Sequence, residues 1–177
     1  HGLGSLFGWM MGGLHGRDSE PLQTGDFLPV SPDTGTPIHG LSTARQPVYS
    51  QAVTLRILPG FQWRQFSRAA RRKLASAHFT VSAQSSRMGL RLDGPAIAAP
   101  AQTIDSEGVC TGAIQITPAG QPIVLLPDRQ TIGGYPKPGA VITADWPRLG
   151  QLRPGAQLRF EPVTTSTARR ALAEILE

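Results

Sequence analysis

The sequence predicts a mainly β fold with a small α/β excursion, and three observations carry that prediction. With 20 Gly and 16 Pro in 177 residues, the chain is rich in turn formers and poor in long helical stripes. Its apolar residues fall in short runs bounded by such turns. Hydrophobic residues make up 40% and charged residues 16%, a globular balance rather than a disordered one. The length suits one domain or two small lobes.

The chain begins at His1 with Gly-rich, apolar sequence through Gly16, which reads as a piece of a longer polypeptide. Its Gly2–Gly8 run has the third glycine one residue late for a dinucleotide loop and shows no strand before it or helix after it. Thr24-Gly25-Asp26 predicts a turn and Phe27–Val30 a short strand. Residues 31–47, rich in Ser, Thr, Pro and Gly, predict a loop or linker. His39 lies there without a second ligand at metal spacing.

Residues 53–82 form the α/β excursion. Val53–Leu58 alternates as a strand and stops at Pro59-Gly60. Ser67 is placed to cap a helix whose Phe66, Ala69, Ala70 and Leu74 share an apolar side, while Arg68, Arg71, Arg72 and Lys73 take the rest. Those cations form a solvated helix face or a docking patch. His78–Ser82 returns as a strand. Further strands follow at Met88–Leu92, Gly112–Ile116, Pro122–Leu126, Ala140–Thr143 and Ala156–Val163. Thr165 or Ser166 caps a second short helix with a stripe of Ala168, Leu172, Ile175 and Leu176.

The formal charge is +5, which favours anionic ligands in general. Most Arg residues are scattered, without the interleaved aromatics of a nucleic-acid face, so no nucleic-acid partner is expected. The single Cys excludes an internal disulfide and suits a reducing cytoplasm; Cys110, after an apolar Val and without a His partner, is expected to be inert core. No apolar run reaches membrane-spanning length, and no paired-Cys metal site, Ser-His-Asp pattern or Gly-Lys-Ser/Thr phosphate loop is present.

Four blocks stand out: Ser86–Pro95, Ser106–Val109, Gly112–Gln115, and Asp128-Arg129-Gln130-Thr131-Ile132-Gly133-Gly134-Tyr135-Pro136-Lys137. In that order they resemble the carboxyltransferase-like family that includes the second subunit of allophanate hydrolase, the C subunit of bacterial 5-oxoprolinase and the KipA regulators. The resemblance covers nearly all of residues 1–177, without the family's front portion. Two positions depart from it: Ser86 stands where an acid often precedes Arg-Met-Gly, and Pro138-Gly139 replace apolar residues after Lys137.

The resemblance implies a cyclophilin-like β-barrel with a small α/β lobe and two short helices. For the 5-oxoprolinase group it implies ATP-dependent opening of 5-oxo-L-proline to L-glutamate with partner subunits A and B, a KipI-like protein among the expected partners. For the urea carboxylase relatives it implies carboxyl transfer from biotin; for KipA, binding to a KipI-type kinase inhibitor. This chain alone is expected to bind no cofactor. ATP would enter in the complex, and biotin only under the carboxyltransferase alternative.

Within the blocks, Glu107 and Asp128 are the acids able to move a proton, and Arg129 joins them as a candidate catalytic group. Arg87 and Arg129 are candidate clamps for a carboxylate, since a guanidinium meets two oxygens at once. Gln115 and Gln130 offer donor and acceptor to a lactam or ureido group. The backbone at Gly133 and Gly134 permits close approach of an anion, and Tyr135 supplies a hydroxyl or ring wall. For each, fixing a turn or packing a core is the competing role.

Overall fold

The structure, a computed structural model, describes residues 49–100 and 105–176 together with the single position Thr24. The Gly-rich opening, the strand expected at Phe27–Val30 and the 31–47 linker lie outside the described residues. Nine strands and three α-helices are found among those described. The strands are β1 (Ala52–Pro59), β2 (Phe79–Val81), β3 (Gly89–Asp93), β4 (Glu107–Gly108), β5 (Ala113–Ile116), β6 (Pro122–Leu125), β7 (Ile132–Gly133), β8 (Gly139–Val141) and β9 (Gln157–Pro162). The helices are α1 (Arg68–Ser76), α2 (Trp146–Gly150) and α3 (Thr165–Leu176).

Seven strands close into a barrel in the order β1-β8-β5-β6-β3-β2-β9, in keeping with the mainly β expectation and with the barrel that the family resemblance implies. Closure depends on β1 pairing in parallel with β9, from Ala52 opposite Gln157 to Ile57 opposite Pro162. A closed barrel leaves none of these strands with a free edge. The strand–helix–strand segment forms as expected, and its two strands enter the barrel on either side of β9.

Alternation along the strands sorts inside from outside. Leu55 and Ile57 of β1, Ile114 and Ile116 of β5, and Leu158 and Phe160 of β9 all join one buried cluster. Ser67 caps α1 by accepting from the Ala70 amide at 3.1 Å, and Phe66, Ala70 and Leu74 join the same core. Arg56 and Asp145 tie β1 to the turn before α2. Arg56 donates from Nη2 and Nε to the fully buried carboxylate at 2.6 and 3.0 Å, and from its backbone amide at 2.8 Å. The hydrogen bond to Asp145 raises the Arg56 pKa, so the guanidinium stays charged across the physiological range.

Several local expectations are corrected. The cap of α3 is Thr164, whose Oγ1 accepts from the Thr167 amide at 3.2 Å, not Thr165 or Ser166. That helix buries Ala171 against Ile142 and Ala144, while Ile175 is exposed. Small side chains let the helix approach there: Ala168 packs beside Ala171, and Leu172 is half-buried. The segment before α2 forms a 3-10 turn, Thr143–Asp145, where the sequence suggests that β8 continues. Cys110 is exposed rather than core. No helix among the described residues is long and apolar enough to cross a membrane.

Candidate functional site

β5 runs between β6 and β8. Ile114 and Ile116 point into the barrel, so Ala113 and Gln115 point out. That outer surface is not open to solvent. Ala113 packs with Val109 and Leu125, and Gly133 lies directly over Gln115. The cover is a two-stranded ladder of β4 and β7, pairing Glu107 with Gly133 and Gly108 with Ile132. Neither strand stands out in the sequence, because each spans only two residues and carries no apolar alternation.

The effect is to bury an amide. Gln115 is 2% exposed, and its Nε2 has no hydrogen-bond partner among the described residues. Its Oε1 accepts a long bond of 3.4 Å from Gln130 Nε2. A Cβ at Gly133 would stand 2.5 Å from Gln115 Nε2, so only glycine fits over that amide as it lies. Leaving a buried donor unpaired costs about 1–3 kcal/mol, and native proteins rarely tolerate it without a use for the group.

Across the ladder, Glu107 accepts from Gln62 Nε2 at 2.8 Å and stands 2.8 Å from Lys137 Nζ. The Lys137 amide donates to Gln62 Oε1 at 2.7 Å. Lys137 Nζ is shielded from solvent and paired by charge, but not aligned to donate to the carboxylate. Glu107 is therefore held by a cation and an amide, with half its side chain exposed. Gln62 was missed in the sequence because it belongs to none of the four blocks. Lys137 closes the last block, but nothing in the sequence pairs it with Glu107.

The loop after β6 supplies the remaining candidates. Asp128 Oδ2 lies 3.0 Å from Arg87 Nε, so Arg87 finds its carboxylate here despite Ser86 at the neighbouring position. The pair is close, yet Asp128 Oδ2 accepts no aligned hydrogen bond among the described residues. Arg129 turns back along its own loop. Its Nε donates to the Val109 carbonyl at 3.2 Å, and its Nη1 to Thr111 Oγ1 at 2.8 Å and the Pro127 carbonyl at 3.4 Å. It fixes the strand-end loops, and only Nη2 is without a bond among the described residues. Gly134 and Tyr135 follow on the surface, Tyr135 at 43% exposure.

The blocks thus converge on one flank of the barrel. Gln115, Gln130 and Gly133 touch one another, and Glu107 joins them through the ladder. Arg129 positions the segment carrying Val109. Arg87 and Asp128 form a separate pair at the start of the same loop. Arg87 pairs with Asp128 and Lys137 with Glu107, while Arg129 bonds only neutral oxygens, so this flank carries one cation more than its carboxylates, an excess that suits an anionic ligand. Among the described residues no group of His, Cys, Asp and Glu could hold a metal ion.

The chain is 33% identical over 165 residues to the C subunit of 5-oxoprolinase from Escherichia coli, covering 91% of this chain and 50% of that protein. It is 34% identical over 162 residues to the C subunit of 5-oxoprolinase from Haemophilus influenzae, covering 90% and 50%. The chain therefore spans about half the length of these relatives. The fold is shared with the crystal structure of Kluyveromyces lactis urea carboxylase, at a TM-score of 0.64 and 22% identity, covering 70% of this chain and 12% of that one. The family described as "Carboxyltransferase domain, subdomain A and B" matches residues 2–162, nearly the whole length, and the chain belongs to that family.

Proposed function

We propose that this chain is the carboxyltransferase-family portion of a 5-oxoprolinase C subunit, working with partner subunits A and B to open 5-oxo-L-proline to L-glutamate at the expense of ATP. The observation that carries this reading is the 33–34% identity with two bacterial subunits of that name over about nine-tenths of the chain. The buried amide group supports it. A lactam presents one carbonyl oxygen, and Gln115 Nε2 is a desolvated donor with no bond among the described residues to break. Because Gly133 covers that donor, the β4–β7 ladder must shift for a ligand to reach it. The Nη2 of Arg129, without a bond among the described residues, is suited to the substrate carboxylate, and Glu107, tethered by Lys137 and Gln62, to moving a proton. ATP supplies the driving force for hydrolysis. The described residues contain no built phosphate cradle for it, which is consistent with a site completed by another segment or subunit.

The test is reconstitution. The polypeptide carrying this chain, co-purified with subunits A and B, is assayed for ATP-dependent glutamate release from 5-oxo-L-proline. Activity only when all subunits are present is the expected result. A complex that assembles but neither hydrolyses ATP nor releases glutamate would count against this reading.

A further inference from the structure

A second surface, on α1, carries a chemistry that the catalytic reading does not use, although the turn beside it also holds Gln62. The helix α1 has the sequence Arg-Ala-Ala-Arg-Arg-Lys-Leu-Ala-Ser and contains no acid. Arg68, Arg71, Arg72 and Ala75 follow one another at helical spacing and share one face. With Trp63 from the preceding 3-10 turn and Pro162 at the end of β9, they line an open groove of about 310 Å³ among the described residues. Trp63 is half-buried against the core, and the Arg71 guanidinium lies 5.9 Å over its ring.

This arrangement is costly for the free protein in three ways. Like charges at three- and four-residue spacing repel along a helix. Arg68 and Arg71 stand near the helix N-terminus, where the macrodipole already places positive charge. Arg71 Nε is shielded from solvent without a hydrogen-bond acceptor among the described residues. None of Arg64, Arg68, Arg71, Arg72 or Lys73 is in an ion pair among those residues, whereas Arg56, Arg87, Arg148 and Lys137 each have a carboxylate. An anion in the groove relieves all three costs at once.

We propose that the groove between α1 and the Phe61–Gln65 turn is a docking site for an acidic segment of another protein. Its charge is complementary to carboxylates, and its guanidinium forks meet them in pairs. Its open shape suits an extended chain rather than an enclosed small molecule. A single tryptophan, half-buried, offers no row of rings for successive bases, which disfavours a nucleic acid. The proposal is independent of the 5-oxoprolinase reading.

Fluorescence anisotropy of a fluorescein-labelled oligoglutamate peptide, titrated with the 177-residue chain at low salt, tests this directly. The triple variant R68A/R71A/R72A is expected to bind at least about tenfold more weakly, the loss of roughly 1.4 kcal/mol spread over three charges. R91A/R153A/R170A removes the same charge from other exposed positions and is expected to change affinity less than about twofold, within the small worth of isolated surface charges. Equal weakening by both variants, no binding by the parent chain, or displacement of the peptide by pyrophosphate or a single-stranded oligonucleotide at lower charge concentration would each overturn the proposal. These side chains are exposed or half-exposed, and circular dichroism of each variant verifies that the fold is retained.

Discussion

Gly133→Ala places a methyl group 2.5 Å from Gln115 Nε2, so the buried amide has to shift, and its long contact with Gln130 shifts with it. Gly108→Ala, on the partner strand of the same ladder, meets nothing within 4 Å. The first substitution is expected to cost about 1–3 kcal/mol, as overpacking of a filled site does, and the second less than about 0.5 kcal/mol. Urea denaturation of both variants measures the difference; equal midpoints would mean that Gly133 does not press on the amide. Arg129→Lys retains the charge but cannot span Val109, Thr111 and Pro127 with one planar group. A loss of about 1–3 kcal/mol is expected, in line with hydrogen bonds from a charged donor. The sequence marked Gln115, Gln130 and Gly133 as binding candidates, but not as neighbours. Their meeting depends on β7 crossing the outer face of β5, and no local pattern encodes that crossing. Nor could sequence show that Arg129 turns back onto its own loop.

At the scale of elements, caps and ion pairs decide the outcome. Ser67→Ala removes the acceptor for the Ala70 amide and is expected to cost about 1 kcal/mol, measurable as a lower thermal midpoint. The Arg56–Asp145 pair predicts an asymmetry. Arg56→Met leaves a fully buried carboxylate without its main partner, at about 3–5 kcal/mol. Asp145→Asn leaves a guanidinium whose side chain is 27% exposed and can reach water, so its cost is expected to be smaller. The reverse order would show that Asp145 is less isolated than its burial indicates. Helix α1 and most barrel strands were legible because their apolar periodicity is strong and their boundaries carry Gly, Pro or Ser. The two-residue strands, the 3-10 turns and the Thr164 cap were not. At that length tertiary pairing, rather than propensity, sets the structure.

For the whole molecule, composition and short apolar runs indicated a mainly β fold, and the family resemblance indicated a barrel. The way it closes could not be read locally: β1 and β9 come from opposite ends of the described unit and join in parallel. Pro138-Gly139, a departure in the sequence, has a place in that closure. A side chain at Gly139 would collide with the Leu58 carbonyl, where β8 crosses β1. The barrel in turn holds Gln115 against the ladder that covers it, and the catalytic reading requires that this buried amide be kept for a ligand rather than for stability. The direct measurement is Gln115→Met, compared with the parent chain for both thermal midpoint and glutamate release in the reconstituted complex. Methionine has similar volume and no donor to leave unpaired. An unchanged or higher midpoint is expected together with turnover lowered by about 10²–10³-fold, the size of losing one oxyanion donor. A lower midpoint with turnover intact would contradict that reading, making Gln115 a structural residue.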